Sequence, residues 1–250
     1  TAAIEPMGAN QGLSEGSLAW GDYDNDGDLD IAVSGWDGSS ARFIIYRNNG
    51  DGTFTQVAEP MGANQGVAVS SLAWGDYDND GDLDIAVSGD YDFSANKRFI
   101  IYRNNGDGTF TNVAEPMGTN QGVSYSSIAW GDYDNDGDPD IAVSGREGLN
   151  ARFIIYRNNG DSTFTQVAEP MGANQGVWYS SLAWGDYDND GDLDIAVSGW
   201  DGSSARFIIY RNNGDGTFTQ AAEPMGTNQG VYYSSLAWGD YDNDGDLDIA

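Results

Sequence analysis

Residues 73–89 read AWGDYDNDGDLDIAVSG, and the phrase recurs at 19–35, 129–145, 183–199 and, as far as Ala250, from 237. Its tryptophans, Trp20, Trp74, Trp130, Trp184 and Trp238, stand 54, 56, 54 and 54 residues apart. Self-similarity at a fixed period marks a repeat architecture. The segments between copies repeat too, so each unit offers four short runs, here called A to D. In the second unit they are SSLAW (70–74), LDIAVSG (83–89), RFIIYRNN (98–105) and FTNVAEP (110–116). All are rich in Ile, Val, Phe, Tyr and Thr and are separated by Gly, Asn and Asp clusters, the pattern of strands and turns. No window keeps a helical period. Five of the six prolines close a D run, where the chain leaves the ladder. The sixth, Pro139, stands at the first position of a B run, the one place inside a strand that tolerates it.

Four antiparallel strands per unit predict an all-β fold, a β-propeller of four-stranded antiparallel blades with five repeats of about 54 residues, because propeller repeats run to about 40 to 50 residues. An elongated β-solenoid is the rival architecture. The expected organisation is a single repeat domain, 1–250, with units near 1–66, 67–122, 123–176, 177–230 and 231–250. The opening run TAAIEP (1–6) would complete the last unit as its D strand. Run C occurs only four times and the sequence stops inside the fifth B run. Two readings therefore stay open: a segment of a larger propeller or array, or a five-unit ring lacking one strand. In the second, the incomplete terminal blade offers an edge through which an oligomer could form.

Composition narrows the function. Ten basic against 40 acidic residues give a net charge of −30, with no histidine and no cysteine. Disulfides, thiolate metal sites, cysteine nucleophiles and imidazole bases are thus excluded. The charge repels phosphate backbones and anionic lipid, and no apolar run is long enough to span a bilayer. Neither nucleic acid nor membrane insertion is expected, and no leader marks the compartment. An aromatic content of 12% separates this chain from acidic disordered ones and points to a buried core.

The acid is concentrated in the nonapeptide between runs A and B. The five copies contribute Asp22, Asp24, Asp26, Asp28 and Asp30; Asp76, Asp78, Asp80, Asp82 and Asp84; Asp132, Asp134, Asp136, Asp138 and Asp140; Asp186, Asp188, Asp190, Asp192 and Asp194; and Asp240, Asp242, Asp244, Asp246 and Asp248. Five carboxylates in nine residues repel strongly without a counter-ion. A solvated acidic turn would account for one such loop, but five in register, each joining two strand runs, argue for a bound cation. Aspartates at positions 1, 3 and 5 followed by glycine at 6 match the start of an EF-hand loop, but position 12 is Val33 instead of a bidentate glutamate. Oxygen-only ligands in a flexible set favour calcium, one ion per repeat.

These loops resemble those of the FG-GAP/VCBS repeat family, integrin-like propellers that carry a DxDxDGxxD calcium loop between the first two strands of a blade. The resemblance covers the whole chain. It implies Asp22, Asp24, Asp26 and Asp30 as side-chain ligands and Asp28 as a main-chain ligand, with the same roles at 76–84, 132–140, 186–194 and 240–248. The family's propellers usually have seven or eight blades. The NGDGTF segment (49–54) also resembles the family consensus, and a hairpin turn suffices to explain it.

Alternating strands put the A–B and C–D loops on one face of a blade and the B–C and D–A loops on the other. Differences between units collect on the second face. The pairs before run A are Ser14-Glu15, Ala68-Val69, Ser124-Tyr125, Trp178-Tyr179 and Tyr232-Tyr233, and the B–C loops differ at 36–41, 90–97, 146–151 and 200–205. Near-identical frames with divergent aromatic loops are what a binding surface looks like, although drift at tolerant positions gives the same pattern. The candidate ligand-binding residues are Trp36, Tyr91, Tyr125, Trp178, Tyr179, Trp200, Tyr232 and Tyr233. Trp178, Tyr179, Tyr232 and Tyr233 are expected to be at least about a third exposed and to flank a groove between blades.

The reading is a calcium-stabilised recognition module for a protein or glycan ligand, extracellular or on the cell surface, where calcium is high enough to fill loops of roughly 10⁻⁵ to 10⁻³ M affinity. The alternative is a structural or adhesive extracellular repeat array. An enzyme is not expected, since copies of one loop offer no unique asymmetric acid–base pair.

Overall fold

The computed structural model describes residues 6–8, 12–91 and 96–250. The fold is all-β, and no helix occurs among the described residues. The first sheet runs β1 (Ser14–Gly21), β2 (Asp30–Trp36), β3 (Ala41–Asn48), β4 (Phe54–Ala58), and the second β5 (Ala68–Gly75), β6 (Asp84–Asp90), β7 (Lys97–Asn104), β8 (Phe110–Ala114). The third runs β9 (Ser124–Gly131), β10 (Asp140–Glu147), β11 (Asn150–Asn158), β12 (Phe164–Ala168), and the fourth β13 (Trp178–Gly185), β14 (Asp194–Trp200), β15 (Ala205–Asn212), β16 (Phe218–Ala222). A fifth begins with β17 (Trp238–Gly239) and β18 (Asp248–Ile249). Each full sheet is an antiparallel meander in sequence order, the arrangement of a propeller blade. No described strand joins the first sheet to the last. The opening run assigned to a composite fifth blade lies, apart from Pro6, outside the described residues.

The chain divides into two compact units, Thr1–Ser124 and Tyr125–Ala250. In the first, Ala32, Phe43 and Ile45 of one blade meet Ile85, Val87, Ile100 and Tyr102 of the next in one buried cluster. The second unit repeats this with Ala142, Phe153 and Ile155 against Ile195, Val197, Ile208 and Tyr210. Middle strands are therefore covered on both faces. That is why DIAVSG and RFIIY read as near-continuous apolar runs, where a sheet with one wet face would alternate.

A repeated set of hydrogen bonds fixes the stagger between neighbouring blades. The indole N–H of Trp74 donates to the Ala19 carbonyl at 3.2 Å, Trp184 to Ala129 at 3.1 Å and Trp238 to Ala183 at 3.0 Å. The amide of Leu72 donates to Ser17 Oγ, Leu182 to Ser127 and Leu236 to Ser181. Each polar atom is satisfied as its blade is covered.

Strand boundaries differ from the sequence expectation in one consequential place. The A strands begin before SSLAW: β5 opens at Ala68 and β13 at Trp178, so the first four variable pairs lie within strands and not in the D–A loops, whereas Tyr232-Tyr233 precedes β17. A bulge accommodates them, with register shifts between Ala68 and Ser71 and between Trp178 and Ser181. The second residue of each pair is left-handed, with φ of 51° at Glu15, 50° at Val69, 53° at Tyr125, 51° at Tyr179 and 55° at Tyr233. Pro139 falls just outside the ladder, because β10 starts at Asp140.

Where the D–A segment crosses the third strand, only glycine fits. A Cβ on Gly176 would lie 2.0 Å from the carbonyl carbon of Arg152, whereas one on Gly239 would meet nothing within 4 Å. Since backbone cannot give way as a side-chain tip can, Gly176→Ala is expected to cost more than about 3 kcal/mol. Gly239→Ala should shift stability by under about 0.5 kcal/mol. Denaturant midpoints of the two variants measure the contrast.

Candidate metal centres and the opposite aromatic face

The acidic loop is built by its own carboxylates. In the first copy, Asp22 accepts the amides of Asp26 at 3.1 Å and Gly27 at 3.0 Å, and Asp26 accepts that of Asp28 at 2.9 Å. The pattern recurs in every copy, for example at Asp76 and Asp80, Asp132 and Asp136, and Asp186 and Asp190. Gly27 and Asn25 take left-handed φ of 92° and 58°, which lets the chain turn tightly around its own side chains.

The ninth-position aspartate anchors the loop to the blade. Asp84 is fully buried and accepts the amides of Tyr77 at 3.1 Å and Asn104 at 2.8 Å. Asp30, Asp140 and Asp194 do the same with Tyr23 and Asn48, Tyr133 and Asn158, and Tyr187 and Asn212. In the fifth copy Asp248 accepts the amide of Tyr241 at 3.0 Å. No ion pair reaches any of these five among the described residues.

Carboxylate oxygens converge in every loop. Within 4.8 Å of one another lie oxygens of Asp22, Asp24 and Asp26; Asp76, Asp78 and Asp84; Asp132, Asp134 and Asp136; Asp186, Asp188 and Asp194; and Asp240, Asp242 and Asp248. Ligands at opposite sides of a calcium shell stand about 4.6 to 5.2 Å apart, twice the metal–oxygen distance, so the spacing and the all-oxygen donor set fit a hard divalent cation. Positions 1 and 3 are brought together in every loop, joined by position 5 in the first and third copies and by position 9 in the second, fourth and fifth. The position-7 side chains of Asp28, Asp82, Asp138, Asp192 and Asp246 belong to no such cluster. Burial, followed by repulsion from Asp26, Asp80 and Asp136, raises the pKa values of Asp24, Asp78 and Asp134 respectively. Burial lifts Asp84 and Asp140 to about 7, and Asp30 and Asp194 to about 6, against the lowering effect of the amides they accept.

The C–D turn lies on this same face: a Cβ on Gly106 would stand 2.9 Å from Asp82 Oδ2. At the other end of the blades, arginine opens the third strand and bridges two acids. Arg206 pairs with Asp201 at 3.1 Å and Glu223 at 2.9 Å, Arg42 with Asp37 and Glu59 at 3.1 Å each, and Arg152 with Glu147 and Glu169. Sequence reading missed these bridges, which recur at fixed spacing in the first, third and fourth blades, and the asparagine that closes run C in every full unit.

The bulged residues of the second unit form a ring ladder. Tyr125 and Tyr179 have centroids 4.4 Å apart, Tyr179 and Tyr233 4.0 Å, Tyr232 and Tyr233 5.5 Å, and Trp200 and Tyr232 5.6 Å. Tyr232 and Tyr233 are 48% and 72% exposed, whereas Trp178 and Tyr179 are partly buried. Their neighbours cover them: Arg146 lies over the Trp178 ring at 5.6 Å, and Tyr179 is held between Tyr125 and Tyr233. The Tyr179 hydrogen bond is the first cause that pushes the Tyr233 phenol up to about 12. Beside Trp178, a cleft of about 540 Å³ opens between the third and fourth blades, lined by Asn150, Asn174, Gln175, Asp201 and Arg206 among others. In the first unit, Tyr91 donates to Gln65 at 2.9 Å under the Arg98 guanidinium, and Trp36 ends β2, partly buried.

Blades in tandem, each with one acidic loop between its first two strands, define a β-propeller-like repeat module. Residues 22–87, 89–143, 146–197 and 198–250 match the FG-GAP-like repeat model, and the chain belongs to that family. Similar proteins include cartilage acidic protein 1 of Xenopus tropicalis, 28% identical over 140 residues, covering 56% of this chain and 21% of the relative. The Homo sapiens protein is 27% identical over 161 residues, covering 60% and 23%. The chain thus spans about a fifth to a quarter of the length of the curated relatives it matches. A glycosyl hydrolase from Bacteroides ovatus superposes with a TM-score of 0.44 at 12% identity, covering 86% of this chain and 71% of that one, too remote for its activity to carry across.

The raised carboxylates set the sign of a pH effect. Unfolded aspartates titrate near 3.9, so the folded chain without metal binds more protons than the unfolded one between that value and about 7. Their stabilising contribution is complete below about 4 and is lost as pH rises through 6 to 7. Asp37, held low by the Ser40 and Ser39 amides, acts below this window. In excess chelator the melting temperature should therefore be higher at pH 5 than at pH 8, and a rise towards pH 8 would contradict the burial argument.

Proposed function

We propose that the chain is a calcium-stabilised recognition module that binds one ion in each acidic loop and a protein or glycan ligand through the face opposite those loops. The metal part rests on five loops that each aim carboxylate oxygens at one point, with the buried position-9 acid left without a cationic partner. When bound, calcium supplies the positive charge that these carboxylates lack. The chain's own residues do the rest: positions 1 and 5 hold the turn, position 9 ties it to the third strand, and the glycine lets the backbone approach.

One observation carries the recognition part. The cleft beside Trp178 and the ladder through Tyr179, Tyr232 and Tyr233 occupy one rim of the second unit, where bulge strain is retained at tyrosines although Glu15 and Val69 occupy the same backbone in the first unit. A backbone shape shared by every unit carries aromatic rings only in the second, and rings on a rim beside a cleft give a ligand a surface to stack on. Amide side chains around an indole suit sugar hydroxyls as well as peptide groups. An extracellular or cell-surface setting fits both this use and the modest affinity of such loops; the similar curated proteins are named for cartilage, a tissue made mostly of matrix. The reading is of binding and not catalysis, because the acids come as copies of one loop.

Two measurements test it. Each site at 100 times its Kd contributes roughly 2.7 kcal/mol, so chelation should lower the melting temperature by many degrees, with magnesium restoring less than calcium. An unchanged melt overturns the metal reading. On arrays of immobilised glycans and matrix proteins, Trp178→Ala, Tyr179→Ala, Tyr232→Ala and Tyr233→Ala together should remove any signal the unaltered chain gives while calcium stoichiometry is unchanged. Lost ring packing should cost roughly 0.5 to 1.5 kcal/mol per pair. Binding that survives all four changes places the ligand elsewhere.

A further inference from the structure

The acidic loops of adjacent blades are tied together by side chains that no metal role uses. Asn25, fourth in its loop, donates from Nδ2 to Asp82 Oδ1 at 2.8 Å and to the Gly81 carbonyl at 3.1 Å, positions 7 and 6 of the next loop. In the second unit Asn135 donates to Asp192 at 2.9 Å and to the Gly191 carbonyl at 3.3 Å, and Asn189 to Asp246 at 2.7 Å. The donors stand at left-handed φ of 58°, 57° and 59°, so the backbone turn that shapes one loop also aims the amide at its neighbour. A second tie runs the other way. The side chain of Asn104, whose own amide donates to Asp84, donates to the Tyr23 carbonyl of the preceding loop at 2.7 Å, and Asn212 joins Asp194 to the Tyr133 carbonyl with the same distance.

We infer that Asn25, Asn135 and Asn189 are positioning residues that couple calcium binding between neighbouring blades, an inference that rests on the calcium reading above. Position 7 offers its carbonyl to the metal while its side chain is gripped by the preceding loop. An ion that orders one loop therefore fixes the asparagine that holds the carbonyl of the next, and the entropy of ordering the second loop is partly met before its ion arrives. Binding is positively cooperative within each unit: two loops in the first and three in the second. The contribution is reciprocal, so each site tightens the other by the same factor.

Calcium titration of the whole chain by calorimetry tests the coupling. The expected result is a Hill coefficient above 1, corresponding to a gain of roughly five-fold or more at a neighbouring site. Asn25→Gly, Asn135→Gly and Asn189→Gly keep the left-handed backbone and remove the amide; together they should bring the coefficient towards 1 with stoichiometry unchanged. Asp82→Ala, which keeps the position-7 carbonyl, should have the same effect at its junction, and combining it with Asn25→Gly should add nothing further. Cooperative binding that survives these changes, or independent sites in the unaltered chain, overturns the coupling while leaving the metal sites standing. Absence of any calcium heat, together with a melt indifferent to chelator, overturns the metal reading and the coupling with it.

Discussion

A buried carboxylate holding two backbone amides is the constraint around which each blade is arranged. Asp84 ties the start of its loop, through Tyr77, to the end of the third strand, through Asn104. The asparagine side chain adds a bond from the end of the third strand to the carbonyl before the aspartate, Asn104 to Leu83 at 3.3 Å, so the carboxylate and the amide together hold the loop to the sheet. A buried carboxylate without a cation is costly. The amides soften that cost but do not cancel it, since burial still raises the pKa. The blade thus carries a standing electrostatic debt at the base of each loop, and a divalent ion above it is the most direct way to discharge it.

The charge logic of the two blade ends is opposite. At the loop end acids are crowded, and Arg47, Arg103 and Arg157 near the close of the third strands offset only part of their repulsion. At the other end Arg42, Arg152 and Arg206 each bridge two acids across the B–C loop and the close of the D run. The ten basic residues are few, and those described here are largely spent away from the metal face. Paired charge at the variable rim, where each bridging arginine offsets part of the acid, makes contact with neutral or mixed-charge partners feasible on a chain of net charge −30.

What the sequence disclosed, it disclosed through repetition and turn chemistry. The Gly, Asn and Asp clusters bracket the strands because those residues tolerate the φ values the turns require, and the A-to-D order followed directly. The bulge was hidden because Glu15, Val69 and Tyr179 carry no local preference for the left-handed region. They are held there by the ladder on either side, a tertiary demand that composition does not register. That displacement moved the first four variable pairs from loop to strand and turned expected loop tips into a packed ladder, in which Tyr179 is partly buried between Tyr125 and Tyr233. The Asn25 type of contact was hidden for another reason: a residue four places into an acidic loop reads as a spacer until the neighbouring blade is in place.

Propeller-like repeats meet their neighbours through a few recurring contacts, and here these fall into two layers. Apolar contacts and the tryptophan–carbonyl bonds set the distance between sheets, whereas the asparagine ties act only at the loop end. Packing alone would leave each acidic loop free to order by itself, as a surface turn with its own local hydrogen bonds. The ties remove that independence without adding buried area, so they bear on how the loops respond together and little on whether the blades assemble. Repetition of one loop thereby yields more than repeated sites: it produces a continuous chain of hydrogen-bonded turns within each unit, whose order is a property of the set.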